Sequence, residues 1–533
     1  MSLWAKRALE LLRARPWEAA AWVVAFAAAA YVIGYPFLQS HYPPMTDLPF
    51  HAAEMSILSH YLDPRYRFHE QFTLHPIEVP YMSMYVVGAL LALVLPVTWA
   101  AKGMSVLMLT LLPAGLAVLF YGMKKTPLWG LLGLGLIWTK LAHWGWLNFV
   151  GSLGLYAMAI GCALLALDRP TLRRQALLAC ALFAVFFTHV YRLPFALLAV
   201  ATTAVVMYPA TRRVRPVLIP LALVAATFAL WWYNRPAALA GEIEPLELHW
   251  DRLEQPLQGI FAGYNGAAGE EELRIARHMT YWASALFLVC AGAVFFSSNA
   301  RSRAPGELAW SAGVTALPLL LCAGHLLAFL TLPMRIGEWW NVYPRELEAA
   351  AFIALGAMPD MPRRGFLRLP VVLVVALATA PMGLLVARQW RKFEQVTSDF
   401  RAIKRQVPAA PRLLYLVFDG SGTEKKDSPF VHLPAWIQAE TGGWLSFHFA
   451  GWRMYPIRYR ENSDYVPPPF ERDWEWNPQR FQVLGRGVWF DTFLVRSLDD
   501  PSRYFAQDST IHPVARNGTW WLFERRPSEP GGS

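Results

Sequence analysis

The chain has 533 residues, of which 55% are hydrophobic and only 16% are charged. Ordinary soluble domains carry about 25% charged residues, so this composition excludes a soluble globular enzyme, a disordered chain and a disulfide-rich secreted domain. The formal net charge is +10, but many of the basic residues lie in short clusters between apolar segments. Such clusters are typical of the cytoplasmic loops of membrane proteins and do not indicate a nucleic-acid partner.

Apolar segments of membrane-spanning length recur from residue 17 to residue 389. They are continuous and do not alternate with polar residues, so they predict transmembrane helices and exclude a porin-type barrel. The predicted helices cover residues 17–38, 81–100, 104–121, 128–142, 148–167, 175–189, 193–208, 216–233, 280–297, 308–332, 346–358 and 369–389. The predicted fold class is therefore an α-helical polytopic membrane protein with about 11–13 transmembrane helices.

The charges between the helices predict the orientation of the chain. The basic N-terminus is expected in the cytoplasm, together with the basic loops at 168–174, 211–215, 299–303 and 360–368. Twelve full crossings would place both termini on one side, so an odd number of crossings is expected, with one re-entrant or split segment between residues 81 and 167. The first apolar run is interpreted as a retained membrane helix and not as a cleaved signal peptide.

Two domains are predicted. Residues 1–389 form the polytopic transmembrane domain, which includes a large first outer loop at 39–80, and residues 390–533 form an extracytoplasmic C-terminal domain. The C-terminal part contains a short helix at 433–443 and apolar-aromatic strand candidates at 412–419, 444–451, 489–496 and 519–526. This pattern predicts a small α/β domain.

The first outer loop contains the most informative polar residues. An amphipathic helix over 50–61 is expected to lie along the membrane surface. If helical geometry begins by Asp47, then Asp47, His51 and Glu54 share one face of the helix. These candidate catalytic residues suit proton transfer, and they also suit a divalent metal ion. The alternative is that Asp47 caps the helix, with Pro49 in the first turn.

Two further segments place polar side chains at the ends of apolar helices. His189 and Arg192 lie where one helix ends and the next begins, and the alternative to substrate binding there is a snorkelling arginine in an aromatic belt. Arg335 precedes Trp339 and Trp340 in a short outer loop, where a guanidinium group suits a lipid phosphate and the tryptophans suit a sugar ring. The alternative in this loop is an Arg–Glu pair, for which Arg345 and Glu346 are the stronger candidates.

The order of these segments resembles that of the GT-C superfamily of integral-membrane glycosyltransferases. The resemblance is architectural over the whole chain, and it is carried by YPPMTDLPFH at 42–51, RIGEWW at 335–340 and WFDTFLVR at 489–496. It implies a polyprenyl-phosphate-linked sugar as donor, a glycan, lipid or protein as acceptor, and Asp47 as the general base. The first loop lacks the paired DxD or ExD acids of familiar branches, which leaves a metal cofactor undecided.

The resemblance also implies a location and leaves two competing functions open. The chain is expected in the cytoplasmic (inner) membrane of a bacterium, with its C-terminal domain outside. A secondary transporter or flippase would show inverted repeats and charged or broken helices at the bilayer midplane. A non-catalytic scaffold for envelope assembly would tolerate replacement of the polar cluster in the first loop. The sequence has no GxxxxGK[ST] motif, so it indicates no P-loop ATPase domain.

Overall fold

The computed structural model describes residues 15–75, 80–235, 245–297, 305–337, 339–362, 364–452, 455–461, 464–469 and 474–526. The longer α-helices in this part of the chain are Pro16–Ala29, Leu48–Ser59, Ser83–Ala92, Val97–Gly122, Leu147–Asp168, Leu172–Thr188, Arg192–Thr211, Arg215–Asn234, Gly266–Ser297, Pro305–Thr331, Val342–Ala354 and Gly365–Val396. The first of them continues through a π-helical turn to Phe37. Residues Pro127–Leu136 form a 3-10 helix.

Each of the twelve predicted membrane segments contains helix, which confirms the polytopic helical fold class. Eight helices of the described residues are long and apolar enough to span a membrane. This count is lower than the expected 11–13 because four predicted segments form helices of 10 to 17 residues: Ser83–Ala92, Pro127–Leu136, Leu172–Thr188 and Val342–Ala354. Residues 127–144 are broken into a 3-10 helix and the short α-helix Lys140–Trp144, within the stretch where a split segment was expected.

The chain divides into two compact units. We call the first the helical unit; it comprises Met1–Pro36, Val106–Ala142 and Trp146–Ala387. We call the second the loop–sheet unit; it comprises Phe37–Ser105, His143–Gly145 and Arg388–Ser533. Residues 39–80 thus belong to the same compact unit as the C-terminal part of the chain, which begins within two residues of the boundary placed at 389/390.

The helical unit is organised around the helix Leu147–Asp168. In the most apolar 18-residue stretch of this helix, 89% is buried inside the protein, which is the highest share among the eight candidate spans. It packs against Leu172–Thr188 and Arg192–Thr211, the two helices that follow it in the chain. A helix surrounded by other helices presents little of itself to lipid, which is why this segment is apolar on all faces.

Nine strands are described: β1 (Phe72–Leu74), β2 (Arg335–Ile336), β3 (Trp339–Trp340), β4 (Arg412–Val417), β5 (Trp444–Leu445), β6 (Ile457–Tyr459), β7 (Thr492–Arg496), β8 (Ile511–Asn517) and β9 (Trp520–Arg525). Five of them form a mixed sheet in the order β5-β4-β7-β9-β8. Strand β4 runs parallel to β5 and β7, and β9 runs antiparallel to β7 and β8. The small C-terminal sheet region expected from the sequence is therefore present.

All four strand candidates contribute to this sheet, but the edge strand β8 was not predicted. Its sequence contains Pro513 at an irregularity in the pairing with β9, and most of its side chains are exposed or half-buried. Proline is tolerated at edge strands and bulges because the missing N–H removes no essential ladder bond. The strand therefore lacks the apolar-aromatic run that marks its neighbours as strand candidates.

The first loop and the C-terminal segments are joined inside the loop–sheet unit. Strand β1 pairs antiparallel with β6. The helix Ala435–Thr441 ends at Gly442, which has a φ of +77°, and a Cβ atom there would lie 2.4 Å from the Cα of Tyr66. Only glycine combines this backbone conformation with so close an approach. The two parts, distant in sequence, thus form one folded body.

The helix Leu48–Ser59 corrects the expectation of a surface helix over 50–61. Ten of its twelve residues are buried, including all positions from Leu48 to Ile57. A helix lying along a membrane surface would leave one face in water, so this one is an interior element of the loop–sheet unit. Its polar residues are accordingly buried ones.

Candidate active site

The start of the helix Leu48–Ser59 is fixed by the short segment His143–Gly145. The backbone N–H of Asp47 donates to the carbonyl of Trp144 at 2.9 Å. Gly145 has a φ of +108°, and a Cβ atom there would lie 3.1 Å from the backbone nitrogen of Asp47. Lys425 donates from Nζ to the carbonyl of His143 at 2.6 Å. Backbone contacts thus set the position of Asp47.

Asp47 occupies the N-cap position, but its side chain makes no capping hydrogen bond to the helix. Its Oδ1 atom lies 3.1 Å from Nδ1 of His432, which also donates to the carbonyl of Thr46 at 3.1 Å. Asp47 is 8% exposed. The structure therefore does not support capping by this carboxylate and gives it an imidazole partner that the sequence did not indicate.

His51 lies one turn further along the helix, with both ring nitrogens satisfied. Its Nε2 donates to the carbonyl of Gly145 at 3.2 Å, and its Nδ1 accepts from the hydroxyl of Tyr85 at 2.9 Å. Burial lowers the pKa of His51 to about 4, although the nearby Asp47 carboxylate acts in the opposite direction. The imidazole is therefore neutral at physiological pH.

Glu54 faces a different histidine in an apolar environment. Its Oε1 lies 3.9 Å from Nδ1 of His448, and neither carboxyl oxygen has a hydrogen-bond partner among the described residues. Burial raises the pKa of Glu54 well above its usual value and lowers the pKa of His448 to about 3. Both shifts favour the uncharged forms of the two side chains.

The three first-loop residues have separate partners in the structure. No group of three or more His, Cys, Asp or Glu side chains in the described ranges is arranged to hold a metal ion. Asp47 contacts His432, both nitrogens of His51 are occupied, and Glu54 faces His448 in buried surroundings that raise the pKa of its carboxyl group. The shared helix face thus directs the three side chains to separate partners, and a divalent metal ion at Asp47, His51 and Glu54 stays an untested prediction.

These pKa shifts predict acid lability of the fold. The folded-state pKa of His448 is depressed, so the unfolded chain binds more protons, and the stabilisation is complete above about pH 6.5 and is lost as the pH falls toward 3. His51 acts in the same sense, whereas the raised pKa of Glu54 acts oppositely above its unfolded value. As the pH falls from 6.5 to 4.5, the free energy of unfolding should therefore decrease less steeply for His448→Asn than for the wild type. The difference in slope should be up to about 1.4 kcal/mol per pH unit.

Tryptophan-fluorescence unfolding in detergent at a series of pH values measures this slope. An exposed histidine provides the control, since His512→Asn removes a side chain from the exposed part of β8. If the free energy of unfolding depended on pH in the same way for the wild type and for His448→Asn, the prediction would be wrong.

The helical unit contains a second polar cluster, formed around Glu346. Arg192 donates to both carboxylate oxygens of Glu346, at 2.9 and 3.0 Å, and both side chains are fully buried. His325 donates from Nδ1 to Glu346 at 2.7 Å and accepts at Nε2 from the hydroxyl of Tyr156 at 3.0 Å. Arg192 is thus not a snorkelling residue, and Glu346 pairs with Arg192 and not with Arg345 as the sequence suggested.

Arg345 has different partners. Its Nη1 donates to Nε2 of His189 at 3.0 Å, and its Nη2 donates to the carbonyl of Trp340 at 2.9 Å. The guanidinium carbon lies 4.5 Å from the ring centre of Trp146. His189 and Arg192 therefore enter two separate interactions, although they are only three residues apart.

Arg335, Trp339 and Trp340 lie on the short hairpin of β2 and β3. Arg335 is opposite Trp340 in the register, is half-buried, and donates from Nε to the carbonyl of Gly337 at 2.6 Å. Trp340 is 44% exposed, whereas Trp339 is 7% exposed. The hairpin thus presents one arginine and one tryptophan, while the other tryptophan is buried.

The residues that sequence reasoning missed are the partners. His432 lies 385 positions from Asp47, His448 is similarly remote from Glu54, and Tyr85 lies 34 positions from His51. Helical periodicity relates only residues within a few turns. A usable signal was the single histidine in the apolar run PFVHLPAW, because a buried imidazole needs a hydrogen-bond partner.

Comparison with known proteins identifies the architecture. No protein-family model matches the chain, and no curated protein matches its sequence. The crystal structure of ArnT from Cupriavidus metallidurans bound to undecaprenyl phosphate covers 96% of this chain and 99% of that chain, with 11% identity and a TM-score of 0.52. The crystal structure of the same protein in the apo state covers 94% and 97%, with 13% identity and a TM-score of 0.47.

The first alignment extends over nearly the full length of both chains. At 11% identity this similarity establishes the fold. The chain is therefore a multi-span membrane protein with the fold of ArnT.

Proposed function

We propose that the chain is a membrane glycosyltransferase that moves a sugar from a polyprenyl-phosphate donor to a hydroxyl group of a glycan, lipid or protein. The observation that carries the proposal is the buried contact between Asp47 and His432, in a chain whose fold is that of ArnT. Such a pair of groups can accept a proton and stabilise the charge that results. The ArnT structure holds undecaprenyl phosphate, which supports a lipid phosphate as the donor's leaving group.

The proposed chemistry needs few groups because the donor is already activated. The acceptor oxygen attacks C1 of the sugar, the bond between C1 and the phosphate oxygen breaks, and the polyprenyl phosphate leaves with the electron pair. The acceptor proton passes to the acid–base centre at Asp47. A cation near the leaving phosphate would stabilise its developing charge.

Turnover of defined donors tests the function. The purified protein in lipid nanodiscs is incubated with undecaprenyl-phosphate-linked hexoses and pentoses and with an envelope extract as acceptor, and the released undecaprenyl phosphate is quantified by mass spectrometry. We expect release from at least one donor, dependent on the extract. Undecaprenyl phosphate alone should raise the unfolding temperature, since a ligand of the native state stabilises it. If the folded protein shows no turnover and is not stabilised by undecaprenyl phosphate, the proposal is refuted.

Arg335 is the residue that we propose for the donor phosphate. The two terminal nitrogens of Arg192 are engaged by Glu346, whereas Arg335 is half-buried on a hairpin beside the exposed Trp340. The Trp340 ring suits stacking on the sugar, and the fork of a guanidinium group suits two phosphate oxygens. We do not extend this role to His189 or Trp339, which are buried.

The Arg335→Lys variant should raise the KM for the donor while the protein remains folded. Lysine keeps the positive charge but replaces the planar fork with a single ammonium group, so bidentate binding is lost. The loss of one charge-assisted hydrogen bond corresponds to about 1.5–3 kcal/mol, or roughly a 10- to 150-fold rise in KM. Arg65→Lys, in an exposed pair with Asp63, is the control. An unchanged KM in both Arg335→Lys and Arg335→Ala would remove Arg335 from the donor site.

The proposed orientation places the N-terminus in the cytoplasm and the C-terminal region outside. It rests on the basic loops at 168–174, 211–215, 299–303 and 360–368. Alkaline phosphatase fused after Ser533 should be active, because it folds only outside the cytoplasm, and a green fluorescent protein fused there should be dark. The opposite pattern would reverse the orientation and place the proposed reaction on the cytoplasmic face.

A further inference from the structure

Three histidines lie at the helix Leu48–Ser59: His51 belongs to it, His448 faces Glu54, and His432 contacts the preceding residue, Asp47. Their ring nitrogens are bonded differently. For His51, the carbonyl of Gly145 fixes the proton on Nε2, and Nδ1 accepts from Tyr85. For His448, Nδ1 accepts from the backbone N–H of Ala450 at 2.9 Å, so the proton of the neutral ring is on Nε2. Neither ring offers a lone pair that lacks a donor.

His432 differs from both. Its Nδ1 faces two acceptors, the carbonyl of Thr46 and the carboxylate of Asp47, each at 3.1 Å. A carbonyl oxygen can only accept, so Nδ1 carries the proton and the neutral ring has its lone pair on Nε2. Nε2 is buried and has no hydrogen-bond partner within the described part of the chain. Folded proteins rarely leave a buried polar atom without a hydrogen-bond partner, and functional sites are a known exception.

The surroundings of His432 hold the ring in place and leave one side near the surface. The ring is 4% exposed and is packed among four aromatic side chains, with ring centres 4.6–6.3 Å away: Phe50, Phe447, Phe449 and Trp476. Trp476 is itself 38% exposed, and its ring lies 6.2 Å from that of Trp144. Trp476, which contacts the His432 ring, and Trp144, which contacts Trp476, suit a sugar ring whose hydroxyl group points toward the histidine.

We propose that Nε2 of His432 is the atom that accepts the proton from the acceptor hydroxyl group, and that Asp47 is the positioning residue that fixes the ring's tautomer and orientation. This inference rests on the proposed glycosyl transfer and specifies where its proton goes. As the acceptor oxygen bonds to C1 and the polyprenyl phosphate leaves with the electron pair of the broken bond, the hydroxyl proton moves to Nε2. The Asp47 carboxylate then stabilises the resulting imidazolium, a division of roles known from Asp–His pairs in hydrolases.

An alternative is that Asp47 itself takes the proton and His432 only holds it. The variant His432→Asn separates the two roles. The amide nitrogen of asparagine occupies nearly the place of Nδ1, so the donor to Asp47 is retained, while nothing replaces Nε2. We expect kcat for sugar transfer to fall ~10²–10⁴-fold, as is usual when a general base is removed. The KM for the donor should change little.

The matched control is His448→Asn, which makes the same exchange in the same unit. Asparagine can still accept the N–H of Ala450 through Oδ1, so at pH 7.5 this variant should transfer sugar at close to the wild-type rate. Folding of both variants is checked by their unfolding temperatures and by stabilisation with undecaprenyl phosphate. If His432→Asn is not folded, His432→Gln provides the second test, since it also lacks a basic nitrogen.

Azide supplies a readout that a structural role would not change. Azide attacks C1 without losing a proton, so it should restore donor turnover in His432→Asn and yield a glycosyl azide, detected by mass spectrometry. Lost transfer without rescue would return His432 to a structural role. Near-normal kcat in His432→Asn, with transfer lost in Asp47→Asn, would assign the proton to Asp47. An inactive wild type would instead refute the proposed function and not this inference alone.

Discussion

The Asp47→Asn variant should lose sugar transfer by ~10²–10⁴-fold, the usual effect of disabling a general base. Asparagine has nearly the shape of aspartate, so the backbone contacts of the residue with Trp144 and His51 should persist. It cannot hold a negative charge against His432, and its amide can turn its N–H groups toward the ring. The acid–base centre is therefore disabled whether the proton passes to Asp47 or to His432.

Stability separates this effect from a structural one. Since Asp47 makes no side-chain capping bond, Asp47→Asn should change the free energy of unfolding by no more than about 3 kcal/mol, the upper end of the range for one charge-assisted hydrogen bond. Asp63→Asn, in the exposed pair with Arg65, is the control on the same loop and should transfer normally. Near-normal transfer by folded Asp47→Asn would remove Asp47 from the chemistry.

The Glu346→Leu variant should be strongly destabilised, by about 3–5 kcal/mol, because it leaves the guanidinium group of Arg192 buried without its counter-charge. Solvent cannot replace the lost partner, since both side chains are fully buried, and His325 also loses its acceptor. Titration with sodium dodecyl sulfate in mixed micelles measures the free energy of unfolding.

Removal of both charges gives the informative comparison. Replacing a buried ion pair with apolar residues of similar size is often neutral, so Arg192→Met combined with Glu346→Leu should be more stable than either single variant. Lys124→Gln breaks an exposed pair with Asp168 and should cost at most about 1 kcal/mol. If Glu346→Leu cost no more than Lys124→Gln, the pair would have no part in holding these helices together.

The features that the sequence predicted are those that depend on neighbouring residues. Continuous apolar runs located the spans, and four aromatic-rich segments located strands β4, β5, β7 and β9. Edge strand β8 was missed because its sequence, with Pro513 and several exposed positions, has no apolar-aromatic run. The same local reasoning identified Asp47, His51 and Glu54 as one helical stripe, but the surface helix to which it assigned them is buried.

The partners of these residues could not be predicted because tertiary packing selects them. Nothing near Asp47 in the chain identifies His432, and Arg345 was a plausible partner for Glu346 only because it is adjacent. In the structure the carboxylate of Glu346 is taken by Arg192, on another helix. A buried charge is paired with whichever group the fold brings to it, and sequence distance has no influence on that choice.

The pairing of β1 with β6 and the contact of Gly442 with Tyr66 have a consequence for biosynthesis. Residues 37–105 are made first, but the residues that complete their folded body begin at Arg388, about 280 residues later. At the usual elongation rate of roughly 5–20 residues per second, the first loop waits roughly 15–60 s for its partner. During that time the side of the helix Leu48–Ser59 that packs against Ala435–Thr441 is uncovered, and strand β1 lacks its partner β6. A ribosome that stalls before residue 388 would therefore release a chain whose first loop is a target for chaperones and proteases.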